Sequence, residues 1–491
     1  MSTPSFTWTD AHVRAALGLP DAVTATTGGA AGGAAAPTAS ATATSAGTEP
    51  TYRDVSTDTR TLGPDALFVA LRGPNFDGHD FLEAASRAGA RGAVVERAGS
   101  APAGMTLYTV PNTLVALGRL ARYRRDRLPA RVVALTGSSG KTTTRAFTEA
   151  ALAGALRVHA TERNLNNRIG VPLTLLAAPE TAEVLVVEMG TSEPGEIRAL
   201  VDAAHPDLGV VVTVSESHLD ALGDLEGVFR EKLDLIGGLD PSAQALVGDT
   251  PADLPRRARV IRPDVRVAGL GGAADPDLRP AHVEADAEGC YRFRWQGEPV
   301  SLRTPGRHMA GNAALALAVA QLLGVPAPAA ARGVSGVDAV ALRGETRRLG
   351  PLTLVADCYN ANPQSTRASL DTLAGRTGSG PRVALLGTMR ELGSHASALH
   401  DDVLAHALAL GLDVVVATGA FADALPGARA DALVRERDPE AALERILPTL
   451  REGGILLLKA SRGERLERLI PRVEAEMARP SAAPPPAEGE G

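Results

Sequence analysis

A short run of small residues carries the most direct chemistry in this sequence: Gly137, Ser138, Ser139 and Gly140 lead into Lys141, Thr142 and Thr143. Glycines let backbone N–H groups curl around phosphate oxygens, and a helix following the loop turns its positive end toward the same anion. The lysine supplies a mobile charge to the outer phosphates, and the hydroxyl beside it can ligate Mg²⁺. The run therefore predicts a nucleotide site, with Lys141 and Thr142 at its reacting end. The common form of this loop has glycine six residues before the lysine, where this chain has Leu135.

Other residues stand where they could complete such a site. Glu188 ends an apolar strand-like run, 183–188, and a carboxylate leaving a strand beside a phosphate loop can hold Mg²⁺ directly or through water. His218 follows a second apolar run, 209–214, and Lys232 lies in a helical stretch, 226–236. Lysine fills only three of the 50 basic positions, Lys141, Lys232 and Lys459, and arginine fills the rest. A chain that prefers arginine for generic charge keeps lysine where a primary amine is required. A phosphotransferase, a nucleotide switch or an idle nucleotide binder could share the loop. None of these gives work to His218, to Lys232 and to everything beyond residue 338.

Alternating strands and helices must position these residues. The first block, 1–129, has strands expected at 66–71, 93–96 and 107–110, with helices at 81–88 and 113–127. Within it, 22–48 is an uncharged Ala/Thr/Gly-rich insertion. A hinge at 128–130 opens the second block, 130–338, which has strands at 131–135, 183–188 and 209–214 and a helix at 144–153. Its Gly/Pro/Asp-rich excursion, 248–305, contains a hairpin-like alternation at 290–295. The third block, 339–479, carries strands at 352–357, 382–386, 413–417 and 454–459, and 480–491 reads as a frayed tail. The pattern predicts an α/β fold of three domains: a small first domain, a central phosphate-loop domain with a parallel sheet, and a C-terminal Rossmann-like domain. Such sheets bind ligands beyond the carboxyl ends of their strands.

Composition narrows the setting. A net charge of −7 gives no nucleic-acid footprint, so a phosphorylated substrate must be held by local donors. No run of about 18 apolar residues suggests a membrane span, and the first ten residues lack the pattern of a secretory leader. Cys290 and Cys358 form neither a metal spacing nor a disulfide framework, and a cytoplasmic protein is expected.

The shortened loop, T-G-S-S-G-K-T-T, resembles that of the Mur ligases and the related folylpolyglutamate synthetases. The likeness extends through S-T-D-T-R at 56–60, F-D-G-H-D-F at 76–81, N-L-N-N-R-I-G-V-P at 164–172 and G-R-H-M-A-G-N at 306–312. D-C-Y-N-A-N-P at 357–363 and L-G-T-M-R-E-L-G at 386–393 are similar to the branch of the family that adds a dipeptide. Neither a D-Y-A-H pattern nor the Asn-Pro-Arg motif of the branch that adds a single third residue is present.

The resemblance implies an ATP- and Mg²⁺-dependent ligase that joins D-alanyl-D-alanine to UDP-N-acetylmuramoyl-tripeptide. It implies that Ser56, Thr57, Asp58 and Arg60 meet the uridine nucleotide, that Asn166 and Asn167 contact substrate, and that Asn312 approaches the adenine. Arg343 and Asp357 would close over the nucleotide, while Asn360, Asn362 and Lys459 would lie near the incoming dipeptide. Thr142, Glu188, His218 and a carbamylated Lys232 would hold two Mg²⁺ ions, and a monomer is expected. Departures from the family pattern are Arg163 for Gly, Ala356 for Asp, Cys358 for Ser and Thr388 for Asp. No residue stands out as a general base for the amine.

Overall fold

Parallel strands buried on both faces read as unbroken apolar runs. In the structure, a computed structural model describing residues 6–21, 49–97, 99–377, 380–451 and 453–479, those runs become the inner strands of sheets. The insertion 22–48 and the tail 480–491 lie outside the described residues. The chain divides into two compact units. One comprises Met1–Thr136, Leu156–Val210 and Leu233–Ala245; the other comprises Gly137–Ala155, Val211–Lys232 and Leu246–Gly491.

The first unit begins with a four-stranded parallel sheet in the order Asp54–Ser56, Ala66–Val69, Ala90–Val95 and Thr106–Thr109. Trp8, Tyr52, Leu67, Val94, Tyr108 and Leu117 fill the core beneath it. Further along the chain, and not confined to this unit, comes a six-stranded sheet in the order Val158–Ala160, Val184–Glu188, Arg131–Thr136, Leu208–Val211, Gln244–Gly248 and Arg266–Ala268. Its register pairs Glu188 with Leu135, so the carboxylate leaves its strand beside the strand that feeds the phosphate loop.

In the second unit, helix Lys141–Ala153 packs against Arg307–Leu322 and Ala327–Ser335. A Cβ at Gly333 would lie 2.0 Å from the Ala150 carbonyl oxygen, so glycine there lets two helices touch backbone to backbone. The C-terminal sheet runs Glu345–Leu349, Leu352–Asp357, Gly454–Lys459, Arg382–Leu386, Val414–Ala417 and Leu433–Arg435. Only its first strand is antiparallel. Register places Asp357 opposite Lys459, both at carboxyl ends.

The differences from expectation have physical causes. The helix after the phosphate loop starts at Lys141 instead of 144, because Gly140 in a left-handed conformation turns the chain directly into it. The strand expected at 209–214 is Leu208–Val211, since the next residues leave the ladder to bond the loop. The excursion 248–305 is more ordered than its composition suggests. It supplies an edge strand of the six-stranded sheet, a helix at Leu254–Ile261 and a three-stranded antiparallel sheet that includes the expected strand Cys290–Trp295. Glu345–Leu349, sequence ETRRL, was unexpected, because an edge strand half in solvent lacks the apolar run of its neighbours. Cys290 and Cys358 are unpaired thiols, as expected. Among the described residues no helix is long and apolar enough to cross a membrane.

Candidate active site

Two glycines make the loop possible. Gly137 has φ +155° and Gly140 has φ +78°, a region where a side chain is strained. A Cβ on Gly140 would lie 2.7 Å from Asn312 Oδ1 and 3.0 Å from Val212 Cγ1. One on Gly137 would lie 3.0 Å from the Thr213 backbone. Ser138 pins the loop from below. Its N–H donates to the Thr213 carbonyl at 2.9 Å, and its hydroxyl donates to the Ser215 carbonyl at 2.8 Å. That hydroxyl also accepts from the Ser215 N–H at 2.9 Å and the Ser217 hydroxyl at 3.0 Å. Ser138, expected as a phosphate contact, shapes the loop with its side chain. Ser139 Oγ donates to Gln364 Oε1 at 2.9 Å. Lys141 Nζ donates to the Gly137 carbonyl at 2.6 Å, so the ammonium is curled back across the cradle that a phosphate would enter.

Glu188 is 2% exposed at the end of its strand. Asn166 Nδ2 donates to its Oε1 at 2.8 Å, and its own N–H donates to Thr161 Oγ1 at 3.0 Å. Thr136 Oγ1, one residue before the loop, donates to the Met189 carbonyl at 2.8 Å and ties the two strand ends together. Asn167 is used locally: its Oδ1 accepts from the N–H groups of Ile169 and Gly170 at 3.1 and 2.9 Å, starting helix Gly170–Leu176.

In the second unit His218 has φ +53° and pairs through Nδ1 with Glu391 Oε2 at 2.6 Å. That hydrogen bond holds the Glu391 carboxyl below the usual carboxylate range. Lys232 is completely buried, 0% exposed, within helix Leu225–Gly237. Among the described residues no group of three or more His, Cys, Asp or Glu side chains forms a ready-made cation cage. A Mg²⁺ that arrives on phosphate needs only one or two protein carboxylates and hard oxygens, which Thr142 and Glu188 supply in kind.

At the carboxyl ends of the C-terminal sheet, Lys459 Nζ donates to Asp357 Oδ2 at 2.9 Å and to the Asn360 carbonyl at 3.0 Å. Ser369 Oγ also donates to Asp357 Oδ2. The lysine is 3% exposed, so this pair is a fixed strut. Asp357, His308, Val355, Thr372, Arg376 and Leu457 help to line a small open cleft. Burial pushes the His308 imidazole down, toward its neutral form. The Arg343 guanidinium lies over the Tyr359 ring at 4.2 Å, a cation–π contact. Asn362 caps helix Pro363–Gly375, its Oδ1 accepting the Ser365 N–H at 2.8 Å.

Three family models match along the chain: "Mur ligase family, catalytic domain" over 51–125, "Mur ligase middle domain" over 135–320, and "Mur ligase, glutamate ligase domain" over 342–462. The UDP-N-acetylmuramoyl-tripeptide–D-alanyl-D-alanine ligase of Bacillus subtilis is 35% identical over 426 residues, 85% of this chain and 92% of the relative. The chain belongs to the Mur ligase family. Among solved structures of that family, MurF from Acinetobacter baumannii is similar to this chain at a TM-score of 0.83 and 27% identity, covering 96% of this chain and all (100%) of that one. MurF from Thermotoga maritima, solved in complex with ADP, aligns with a TM-score of 0.77 and 27% identity over 86% of this chain and 97% of its own.

A further set of expected residues lies in the first block of this Mur ligase. Ser56 Oγ accepts the Asp58 N–H at 3.2 Å, and Arg60 forms a two-pronged pair with Asp58, Nε to Oδ1 at 2.9 Å and Nη2 to Oδ2 at 2.6 Å. Thr57 sits between them, partly exposed. The Arg60 side chain is 86% exposed. Sequence reasoning missed Gln364, Thr213 and Glu391 as partners of the loop and of His218. Each acts across more than seventy residues of chain, and a single sequence carries no signal of such contacts.

Proposed function

We propose that this Mur ligase joins D-alanyl-D-alanine to UDP-N-acetylmuramoyl-tripeptide at the expense of ATP, the reaction named for the relatives it matches. The observation that carries the reading is the glycine cradle with Lys141 folded across it, in a chain that matches a dipeptide-adding relative over 85% of its length. A carboxylate oxygen of the tripeptide attacks the γ-phosphorus, ADP departs, and an acyl phosphate forms. The dipeptide amine then adds to the acyl carbon, inorganic phosphate leaves, and the nitrogen loses its proton. The first step demands positioning and charge neutralisation, which Lys141 and the loop N–H groups supply. Thr142 and Glu188 would hold one Mg²⁺, and His218 with Lys232 a second. Bound there, the ions would supply charge neutralisation at the phosphates.

Carbamylation of Lys232 is supported by the scarcity of lysine in this chain, since a primary amine can take up CO₂ and become an oxygen ligand where arginine cannot. Arg343, Asp357 and Asn312 serve the nucleoside end. Ser56, Thr57, Asp58 and Arg60 hold the uridine diphosphate, and Asn166 and Asn167 shape the tripeptide side. Asn360 and Asn362 frame the dipeptide side, with Lys459 bracing them through Asp357. The enzyme works in the cytoplasm as a monomer, with domains 1–129, 130–338 and 339–479.

Labelling the tripeptide carboxylate with ¹⁸O tests the step order. One label atom should appear in inorganic phosphate for each amide formed, whereas unlabelled phosphate would rule out acyl-phosphate activation. For Lys232, ¹³C-bicarbonate should give a carbamate resonance that Lys232→Arg abolishes, along with most activity. Near-normal turnover of Lys232→Arg would refute it.

A further inference from the structure

The segment 386–393 resembled the family yet received no task in the reaction. In the structure it forms a hydrogen-bonded platform. The Met389 N–H donates to His400 Nε2 at 3.0 Å, and His400 Nδ1 faces the Ala396 carbonyl at 2.7 Å. The Arg390 N–H donates to Ser461 Oγ at 2.9 Å, and its Nε donates to Glu464 Oε1 at 2.9 Å. The Ser461 N–H returns to the Thr388 carbonyl at 3.1 Å. Thr388, where the family pattern has Asp, uses its hydroxyl to accept the Ala420 N–H at 3.1 Å.

From this platform Glu391 reaches the His218 segment by side chain and backbone together. Its Oε2 lies 2.6 Å from His218 Nδ1, and its carbonyl accepts the Leu219 N–H at 2.8 Å. Beside them, a Cβ on Gly393 would lie 3.0 Å from Asp220 Oδ1, so glycine permits the close approach. Both His218 and Glu391 hold left-handed backbone, at φ +53° and +63°, which sets the two side chains toward each other.

We propose that Glu391 is the positioning residue for His218: it fixes the proton on Nδ1 and leaves Nε2 as the imidazole's only acceptor. A carboxylate at one ring nitrogen sets both tautomer and ring orientation for whatever the other nitrogen binds. Because Glu391 belongs to the C-terminal platform and His218 to the central sheet's loop, the imidazole becomes competent only when that platform is docked on it. The consequence for cation binding rests on reading His218 as a Mg²⁺ ligand; the tautomer does not.

The test uses the full-length enzyme labelled with ¹⁵N in its histidine rings, at alkaline pH, with His218→Gln to assign the signals. His218 should show a protonated Nδ1 and an unprotonated Nε2. Glu391→Ala should convert it to a mixture dominated by Nε2–H, and Glu391→Gln, which keeps an acceptor, should preserve the Nδ1–H form. Affinity for Mn²⁺ in the presence of a non-hydrolysable ATP analogue, followed by electron paramagnetic resonance, should fall roughly tenfold in Glu391→Ala and recover in Glu391→Gln. An unchanged His218 signature in Glu391→Ala overturns the positioning role. A changed tautomer with unchanged Mn²⁺ affinity overturns its link to the metal and the reading of His218 as a ligand.

Discussion

In the proposed reaction Lys141 is the residue on which the chemistry turns, and its hydrogen bond to the Gly137 carbonyl contributes little that water could not replace in the nucleotide-free state. Lys141→Ala should therefore lower kcat by roughly 10²–10³ while moving the thermal midpoint very little. A collapse of stability with intact turnover would contradict that assignment. The Asp58–Arg60 pair is a second residue-scale case. The Arg60 guanidinium holds the Asp58 carboxyl down to about 2. A folded value below the unfolded one, about 3.9, means that the pair's stabilisation is present above that range and lost as pH falls toward about 2. Exposure of Arg60 keeps this contribution small. A ¹³C titration should find Asp58 ionising far below its ordinary range, and Arg60→Ala should return it there. An unshifted carboxyl in the parent enzyme would be inconsistent with the pair.

Elements differ in how plainly the sequence announces them, and the phosphate loop shows why. Its glycines are legible because the required backbone excludes other residues. Gly140→Ala should push Asn312 and Val212 aside and cost about 1–2 kcal/mol in a left-handed position, with a matching loss of nucleotide affinity. Gly118, inside helix Thr113–Arg125, has only the Ala203 Cβ near its missing side chain, at 3.9 Å. Gly118→Ala should stabilise the fold by about 0.5–1 kcal/mol, and paired denaturant titrations of the two variants check both signs.

The inner strands 184–188, 352–357, 382–386 and 454–459 were legible to within a residue at their starts, because parallel strands buried on both faces cannot tolerate polar interruptions. Edge strands such as Glu345–Leu349 and Leu433–Arg435 were not, since one open side lets them carry charge. Residue type and the scarcity of lysine single out Lys141, Glu188, His218 and Lys232 as candidates in the sequence. What surrounds them is not legible there: Ser138 saturated beneath the loop, Asn362 spent on a helix cap, and Glu391 gripping His218 arise only when distant segments meet.

For the whole molecule, each block answers one chemical demand of a single condensation. The first carries an exposed Arg60, the central one the glycine loop with Lys141 and the buried Glu188, and the third a braced Asp357–Lys459 pair at the ends of its strands. The enzyme should not spend ATP productively unless a carboxylate and an amine are both present. The decisive measurement is ADP release with UDP-N-acetylmuramoyl-tripeptide, comparing D-alanyl-D-alanine with a single diamino acid as acceptor. The account predicts stoichiometric ADP and pentapeptide product with the dipeptide and none with the diamino acid. Turnover with the diamino acid alone would contradict it.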